Sequence, residues 1–384
     1  VKILDGMAGI KYFLEMGTKA VQYKLHRLGV FPVPKPLVIT FSVTNQCNSR
    51  CKTCNIWKLY MDKPELRDKE LKLDEIEKIF KSIGHIYFFN ISGGEPFLRK
   101  DLPEIIRLAC KYLSPGVIHT PTNAIMPDVI IKQTRKIMEI IKEEAPGTPF
   151  TIKPSFDGIE EEHDEIRGIK GNFKKTIETT KRLKELKKEF PNLHVGLGTV
   201  VSIFNYDKLP KIAEYVRKLD VDSYINEIAE ERSELFTIGS KITPDDKKYK
   251  AAIEFFKKEV KRDLKKKNRL TRMTQAFRLV YYDLVVDILK EKRQVIPCYA
   301  GLSNFHLTPY GDIWPCCVLG YSKSMGNLRD FNYNFKKLWK SKSAKKVRKF
   351  IQDKNCACPL ANQSYSNIML DPKSALKVLK NMLF

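Results

Sequence analysis

The chain has 384 residues, an apolar fraction of 43% and a formal net charge of +24. That length and apolar content supply a large core and a smaller second unit, and they exclude a disordered chain. The charge favours an anionic partner, whether nucleic acid, a lipid headgroup surface or an acidic substrate, and says nothing about the fold.

No apolar run reaches membrane-spanning length, and the first residues lack the pattern of a signal peptide. Nine cysteines, most of them in two local groups, suit thiolates that hold metal in a reducing cytoplasm better than a disulfide framework. The expected location is cytoplasmic, with a peripheral place on a membrane left open.

Residues 1–28 read as an amphipathic helix. Ile3, Met7, Ile10, Leu14, Val21, Leu25 and Leu28 recur mainly at gaps of three and four, with Lys2, Lys11, Lys19, Lys24 and Arg27 off the stripe. Two readings stand: the stripe packs on the main domain, or it rests on anionic lipid. Pro32, Pro34 and Pro36 then break the helix.

From Pro36 to about Glu231, strands and helices alternate. The predicted strands are Leu37–Val43, His85–Ser92, Val117–Thr122, Phe150–Phe156, Val195–Val201 and Ser223–Ile228. The helical patterns between them are Leu73–Ile83, Leu102–Leu113, Val129–Glu144, Phe173–Lys188 and Lys208–Leu219. This alternation predicts an α/β fold of parallel strands and crossover helices. Six units are too few for a closed eight-unit barrel, and in barrels the chemistry gathers at the C-terminal strand ends.

A lysine-rich helical stretch follows, from about Thr243 to Lys292. A charge run of this kind is usually a solvated helix face. Its apolar part, Phe277–Tyr282 and Leu284–Leu289, either lines a hydrophobic substrate channel or packs on the barrel. The expected division is an N-terminal helix (1–35), a partial barrel (36–242), a basic helical linker (243–294) and a C-terminal cysteine-bearing unit (295–384).

Cys47, Cys51 and Cys54 follow the first predicted strand. A tight loop there can point three thiolates at one centre and leave one iron of a four-iron cluster without a protein ligand. A zinc site or three unrelated buried cysteines are the alternatives. The spacing C-x3-C-x2-C resembles the cluster loop of radical S-adenosylmethionine (SAM) enzymes. The resemblance implies a partial (β/α)6 barrel and a [4Fe-4S] cluster whose open iron binds SAM. Reductive cleavage then gives a 5′-deoxyadenosyl radical that takes hydrogen from an unactivated C–H bond. The family usually has an aromatic residue before the third cysteine. Thr53 stands there, and Ile56 or Trp57 is left to cover the cluster.

Further motifs carry the resemblance. Gly93, Gly94, Glu95 and Pro96 after the second strand match the family's GGEP motif, which holds the SAM amino group; glycines allow close approach, and a carboxylate accepts from an ammonium. Thr122-Asn123-Ala124 resembles a Thr-Asn-Gly position, which implies a SAM contact for Asn123. Ser155-Phe156-Asp157-Gly158 with His163 to Arg167 resembles a stretch of the branch with extra clusters, which implies Ser155 on SAM and Arg167 beside a carboxylate. His163 reads as a structural hydrogen-bonder.

Cys298, then Gly311-x4-Cys316 with Cys317, then Cys356 and Cys358 resemble the SPASM or shorter twitch extension. A hairpin at Tyr310-Gly311-Asp312 would return Cys316 toward Cys298. The resemblance implies one auxiliary [4Fe-4S] cluster on Cys298, Cys316, Cys356 and Cys358, with Cys316 against Cys317 undecided. Four thiolates suit electron transfer, and zinc in the same cage is the alternative. Cys110 reads as a core residue.

For the substrate, C–C bond formation on a membrane lipid chain leads. It would explain the basic N-terminal helix, the charge and the apolar stretch, and the resemblance reaches archaeal members that join lipid chains. The alternatives are maturation of a ribosomally made peptide, then dehydrogenation of an alcohol or sugar. No room for a peptide-binding winged helix is seen before Pro36. An external electron donor is expected. A basic nucleic-acid-binding metalloprotein is the reading from another class, and no specific nucleic acid is expected, because no reading motif accompanies the charge.

Overall fold

The computed structural model describes residues 7–264 and 269–383. The strands are β1 (Val38–Thr44), β2 (Phe88–Gly93), β3 (Val117–Thr122), β4 (Phe150–Pro154), β5 (Leu193–Val201), β6 (Ser223–Ile228), β7 (Asn304–Leu307), β8 (Asp312–Trp314) and β9 (Gly326–Asn327). The helices are α1 (Met7–Arg27), α2 (Leu59–Asp62), α3 (Leu73–Ile83), α4 (Leu102–Leu113), α5 (Pro127–Glu144), α6 (Glu161–Arg167) and α7 (Asn172–Glu189). They continue with α8 (Leu209–Leu219), α9 (Asp246–Leu264), α10 (Arg269–Glu291), α11 (Phe335–Trp339), α12 (Lys342–Gln352), α13 (Ala361–Leu370) and α14 (Pro372–Leu383).

Strands β1 to β6 lie side by side in chain order, each parallel to the next, with crossover helices between them. The parallel order with crossover helices is the one expected from the alternation, and the partial α/β barrel is the one the resemblance implies. Central strand β1 is buried along nearly its whole length, because a parallel sheet covered on both faces hides alternate residues equally. In α3, Ile76, Ile79, Phe80 and Ile83 are buried and Asp74 and Lys78 face water, as a 3.6-residue repeat requires.

The C-terminal unit extends the same sheet. Strand β7 pairs in parallel with β1, so the sheet continues through β7, β8 and β9 on the free side of β1. A four-residue strand such as β7 leaves too weak a pattern to be seen in sequence.

Two helical expectations are settled by packing. The apolar run of α10 is core: Ala276, Val280, Tyr281, Tyr282, Leu284 and Val285 are buried with Tyr249 of α9 and Val378 of α14. None of these residues lines the cavity that holds the cysteine loop. In α1 it is Tyr23, off the predicted stripe, that is fully buried, clustered with Leu37, Tyr299, Leu302 and Leu370. Val21 and Leu28 of the stripe are exposed. The predicted stripe is therefore not the packing face over this half of the helix. Ile3 and the side chains of Met7, Ile10 and Leu14 lie outside the described residues.

Candidate active site and auxiliary metal centre

Chain direction puts every βα loop of β1 to β6 at one end of the sheet. There, one cavity is lined by Cys47, Cys51, Cys54, Gly93, Gly94, Glu95, Pro96, Asn123, Ser155 and Arg167. The residues named from the sequence thus share one space, although they come from four different strands.

The cysteine loop is held by backbone pairing on both sides. Gly94 N–H donates to Thr44 O (2.8 Å) and Glu95 N–H to Gln46 O (2.8 Å). A Cβ on Gly93 would fall on the Thr44 carbonyl, and one on Gly94 on the Gln46 carbonyl. This close approach is why both positions need glycine. On the other side Arg50 N–H donates to Arg167 O (3.1 Å) and Lys52 N–H to Ile166 O (2.9 Å). Ser49 Oγ lies 3.1 Å from Cys51 Sγ and donates to Arg167 O at 3.0 Å. Thr53 and Ile56 stand on the cavity wall, and Trp57 does not.

The sequence suggested that the Glu95 carboxylate is available to an ammonium group. In the structure it is fully buried and already accepts from Thr122 Oγ1 (2.9 Å), Asn123 N–H (2.6 Å) and Phe97 N–H (3.2 Å). Burial pushes it up to about 7, against those three donors. Its evident work is to brace the β2 and β3 loops against each other. Asn123 Nδ2 donates to Asn48 Oδ1 (2.7 Å), which ties the β3 loop to the cysteine loop. Ala124 has φ +60°, the left-handed region that explains why glycine is customary there.

Arg167 donates to Asp157 Oδ2 at 3.1 Å and is buried. Burial pulls its guanidinium down, but Cys51 and Asp157 together push it above the usual range. Its carboxylate partner is therefore already in the protein. His163 accepts from Asp157 N–H (3.2 Å) and pairs with Asn172 Oδ1 (2.9 Å), the structural role expected for it.

The second cavity is lined by Cys298, Cys316, Cys356 and Cys358 together with Gln294. Gly311 (φ +91°) turns the β7–β8 hairpin, in which His306 faces Trp314, and so carries Cys316 back beside Cys298. Gln294 Nε2 donates to Cys356 Sγ (3.6 Å) and its Oε1 accepts from Cys298 N–H (3.3 Å). Arg27 of α1 stacks 3.6 Å over the Tyr299 ring and donates to the Cys298 carbonyl. Neither Gln294 nor Arg27 carries a sequence signal, because Gln294 reaches Cys356 across 62 positions and Arg27 reaches Cys298 across 271. Cys110 is a buried core residue of α4.

All nine cysteines are free thiols. Burial pushes Cys47 and Cys54 up to about 12, so loading a metal must displace their protons. Among the described residues, one Cys/His/Asp/Glu trio has its ligand atoms within 4.8 Å of one another: Glu234, His306 and Cys317. Neither cysteine cavity gathers three sulfurs that closely. One zinc ion with Zn–S bonds near 2.3 Å needs sulfurs roughly 3.8 Å apart. A multi-iron cluster spreads its ligands over separate irons and does not require that closeness.

Cys316 and Cys317 point to different places. Cys317 is absent from the second cavity, and its Sγ accepts from Arg232 Nη1 at 3.1 Å. Arg232 also pairs with Glu234 (3.3 Å), so it already supplies positive charge to two members of the trio. His306 Nε2 lies 2.7 Å from Ser42 Oγ.

Sequence reasoning missed the far wall of the first cavity. Glu227, Glu230 and Arg232 follow from β6 onto that wall, and Lys153 of β4 pairs with Glu227 at 3.3 Å. Burial pushes Glu230 up to about 7, opposed by Arg232. The run Glu227 to Arg232 at the end of the sixth predicted strand was the available signal.

Comparison with known proteins agrees with this geometry. Residues 41–216 match the Radical SAM superfamily, and residues 298–359 match SPASM, described as an iron-sulfur cluster-binding domain. The chain carries a radical SAM domain and a C-terminal SPASM domain, and these domains imply a SAM-binding [4Fe-4S] cluster, SAM and auxiliary iron–sulfur.

The antilisterial bacteriocin subtilosin biosynthesis protein AlbA of Bacillus subtilis (strain 168) is 23% identical over 91% of this chain and 71% of its own length. A PqqA peptide cyclase of Bradyrhizobium diazoefficiens is 28% identical over 49% of this chain and 45% of its own. The AdoMet-dependent heme synthase of Methanosarcina barkeri is 24% identical over 80% and 82%. Among solved structures, native anSMEcpe with bound AdoMet and the Cp18Cys peptide superposes with a TM-score of 0.56 at 17% identity, covering 91% of this chain and 97% of that one. This last likeness speaks for the fold.

Proposed function

We propose that the chain modifies a peptide by radical chemistry, with the first cavity as the reaction site and the second as the seat of one auxiliary four-iron cluster. The observation that carries the choice of substrate is the far wall of the first cavity. Beyond the residues assigned to SAM it presents Glu227, Glu230 and Arg232. Charged groups on that wall suit the amides and polar side chains of a peptide, and Val200, Ile228, Ala229, Leu235 and Leu360 on the same lining suit its apolar side chains. Lipid cross-linking loses its main physical support, because the apolar run proposed as its channel is core. A peptide cyclase among the relatives, and a peptide in a structure of the same fold, support the reading.

In this reading Cys47, Cys51 and Cys54 hold the SAM-binding cluster. Gly93 to Pro96, Asn123 and Ser155 form the SAM wall. When bound, cluster and SAM supply the hydrogen-abstracting radical. The protein's own residues do the positioning. Glu95 locks two loops into one surface, Arg167 anchors the loop that holds the cysteines, and Glu227 and Arg232 orient the substrate. Cys298, Cys316, Cys356 and Cys358 would hold the auxiliary cluster, which would supply a one-electron acceptor for an oxidation.

The test is anaerobic reconstitution followed by incubation with SAM, dithionite and a library of short peptides. Peptide-stimulated release of 5′-deoxyadenosine, with a peptide product that has lost a pair of hydrogens, is expected. Stimulation by a lipid extract and by no peptide would overturn the proposal.

A further inference from the structure

Helix α14 buries one face and leaves an apolar stripe uncovered on another. Ser374 and Val378 face inward, and Val378 joins the core shared with α10 and α13. Leu376, Leu379 and Leu383 are 67%, 57% and 78% exposed. At about 100° per residue, positions separated by three and seven stand on one line along a helix. Lys373, Lys377 and Lys380 are exposed along one side of that line, and the helix contains no acidic residue. Isolated exposed leucines are ordinary, but three in register beside three lysines are not scattered.

We propose that α14 lies flat on an anionic bilayer surface, its leucines in the acyl boundary and its lysines on the headgroups. The charge pattern selects this occupant. Two copies paired along this face would set lysine rows together with no carboxylate on either helix to answer them. An anionic headgroup layer answers every one, and the chain as a whole carries +24. No helix among the described residues is long and apolar enough to cross a membrane, so the contact is interfacial. The other exposed apolar residues include Val21, Leu28 and Val30 at the end of α1. Tyr23 of that helix shares a core cluster with Leu370, the residue from which the chain turns into α14. Helix α1 therefore reaches the corner where α14 begins.

The test is flotation of the full-length, cluster-loaded chain with vesicles of phosphatidylcholine alone or mixed with phosphatidylglycerol. The wild type is expected to float with the mixed vesicles and not with the neutral ones, and high salt should release it. The double variant Leu376→Glu/Leu379→Glu should lose about tenfold or more of the bound fraction. It should keep the wild-type thermal midpoint and basal SAM cleavage, since both side chains are exposed and outside the cavities. Lys373→Glu/Lys377→Glu/Lys380→Glu should lose binding to the mixed vesicles. Wild type that stays in the soluble fraction with both vesicles, or a leucine variant that floats as well as wild type, overturns the proposal. So does a dimer in light scattering that the leucine variant splits, which would make a second copy the occupant.

Discussion

Arg232 Nη1 sits 3.1 Å from Cys317 Sγ, while the neighbouring residue Cys316 lines the cavity shared with Cys298, Cys356 and Cys358. Strand β8 ends at Trp314 and the chain turns from Cys316 to Gly320, whose N–H donates to Cys316 O (3.2 Å), so the two neighbouring thiols leave the turn toward two different sites. If the second cavity holds a four-iron cluster, Cys316→Ser should remove about four of about eight irons per chain, and Cys317→Ser should keep them all. Iron and sulfide counts after reconstitution, with EPR of the reduced protein, read this directly. The opposite pattern would reverse the assignment.

The contact of the β2 loop with the cysteine loop gives a second prediction. A methyl group on Gly94 would collide with the Gln46 carbonyl, and the loop already spends its Gly94 N–H on Thr44. Gly94→Ala should push the cysteine loop away from the SAM wall and weaken SAM binding by an order of magnitude or so. Gly17→Ala is the control, because nothing lies within 4 Å of its added carbon and its φ is ordinary. Isothermal titration with SAM on the reconstituted variants decides. Unchanged affinity in Gly94→Ala would remove the role given to that glycine.

How far the sequence led depends on the range of each interaction. Strands β3 and β6 and helices α3 and α4 match the residues read from alternation and 3.6-residue periodicity, and in β3, α3 and α4 the buried residues form one local stripe. The cavity residues named from the sequence were found because their motifs resemble a family's, and they meet because strand ends project their loops to one side of the sheet. What escaped was set by distant packing. The burial of Tyr23 in place of the Val21–Leu28 stripe depends on Tyr299 and Leu370. The placement of β7 beside β1 joins residues more than two hundred positions apart. Glu95 was legible as a motif residue but not as a brace, since Thr122 and Asn123 reach it from another strand.

The seam between barrel and C-terminal unit carries a pH signature. Glu75 of α3 accepts from Arg329 Nε (2.8 Å) and Nη2 (3.0 Å) and from Tyr333 Oη (2.8 Å). The Arg329 hydrogen bonds first, against a burial cost and helped by Lys72 N–H and Tyr333, hold the carboxyl at about 2 instead of 4.5. A carboxyl that is more acidic folded than unfolded stabilises fully above about 4.5, and that contribution fades as pH falls toward 2. Arg329 is partly exposed, so solvent screening leaves about 1 kcal/mol. Glu75→Gln should therefore be less stable than wild type at neutral pH, with the gap narrowing below about pH 4.5 and closing near pH 2 and below. Urea denaturation at several pH values measures the gap. A gap that stays constant down to pH 3 would show that the pair is not its source.

The stacking of Arg27 on Tyr299 makes α1 part of the auxiliary centre. Its guanidinium donates to the carbonyl of Cys298 and places a positive charge beside one ligand of the proposed cluster. Reduction adds a negative charge to that cluster, so a nearby cation favours the reduced form and raises the potential. Arg27→Ala should lower the auxiliary midpoint potential by tens of millivolts and speed loss of the cluster in air. Arg27→Lys keeps the charge but loses the planar stack and the forked donor, so it should fall between the two. Redox titration followed by EPR gives the potentials, and the SAM-binding cluster in the same sample serves as the internal reference. If Arg27→Ala leaves the auxiliary potential unchanged or raises it, α1 is only a packing element and the electrostatic link is wrong.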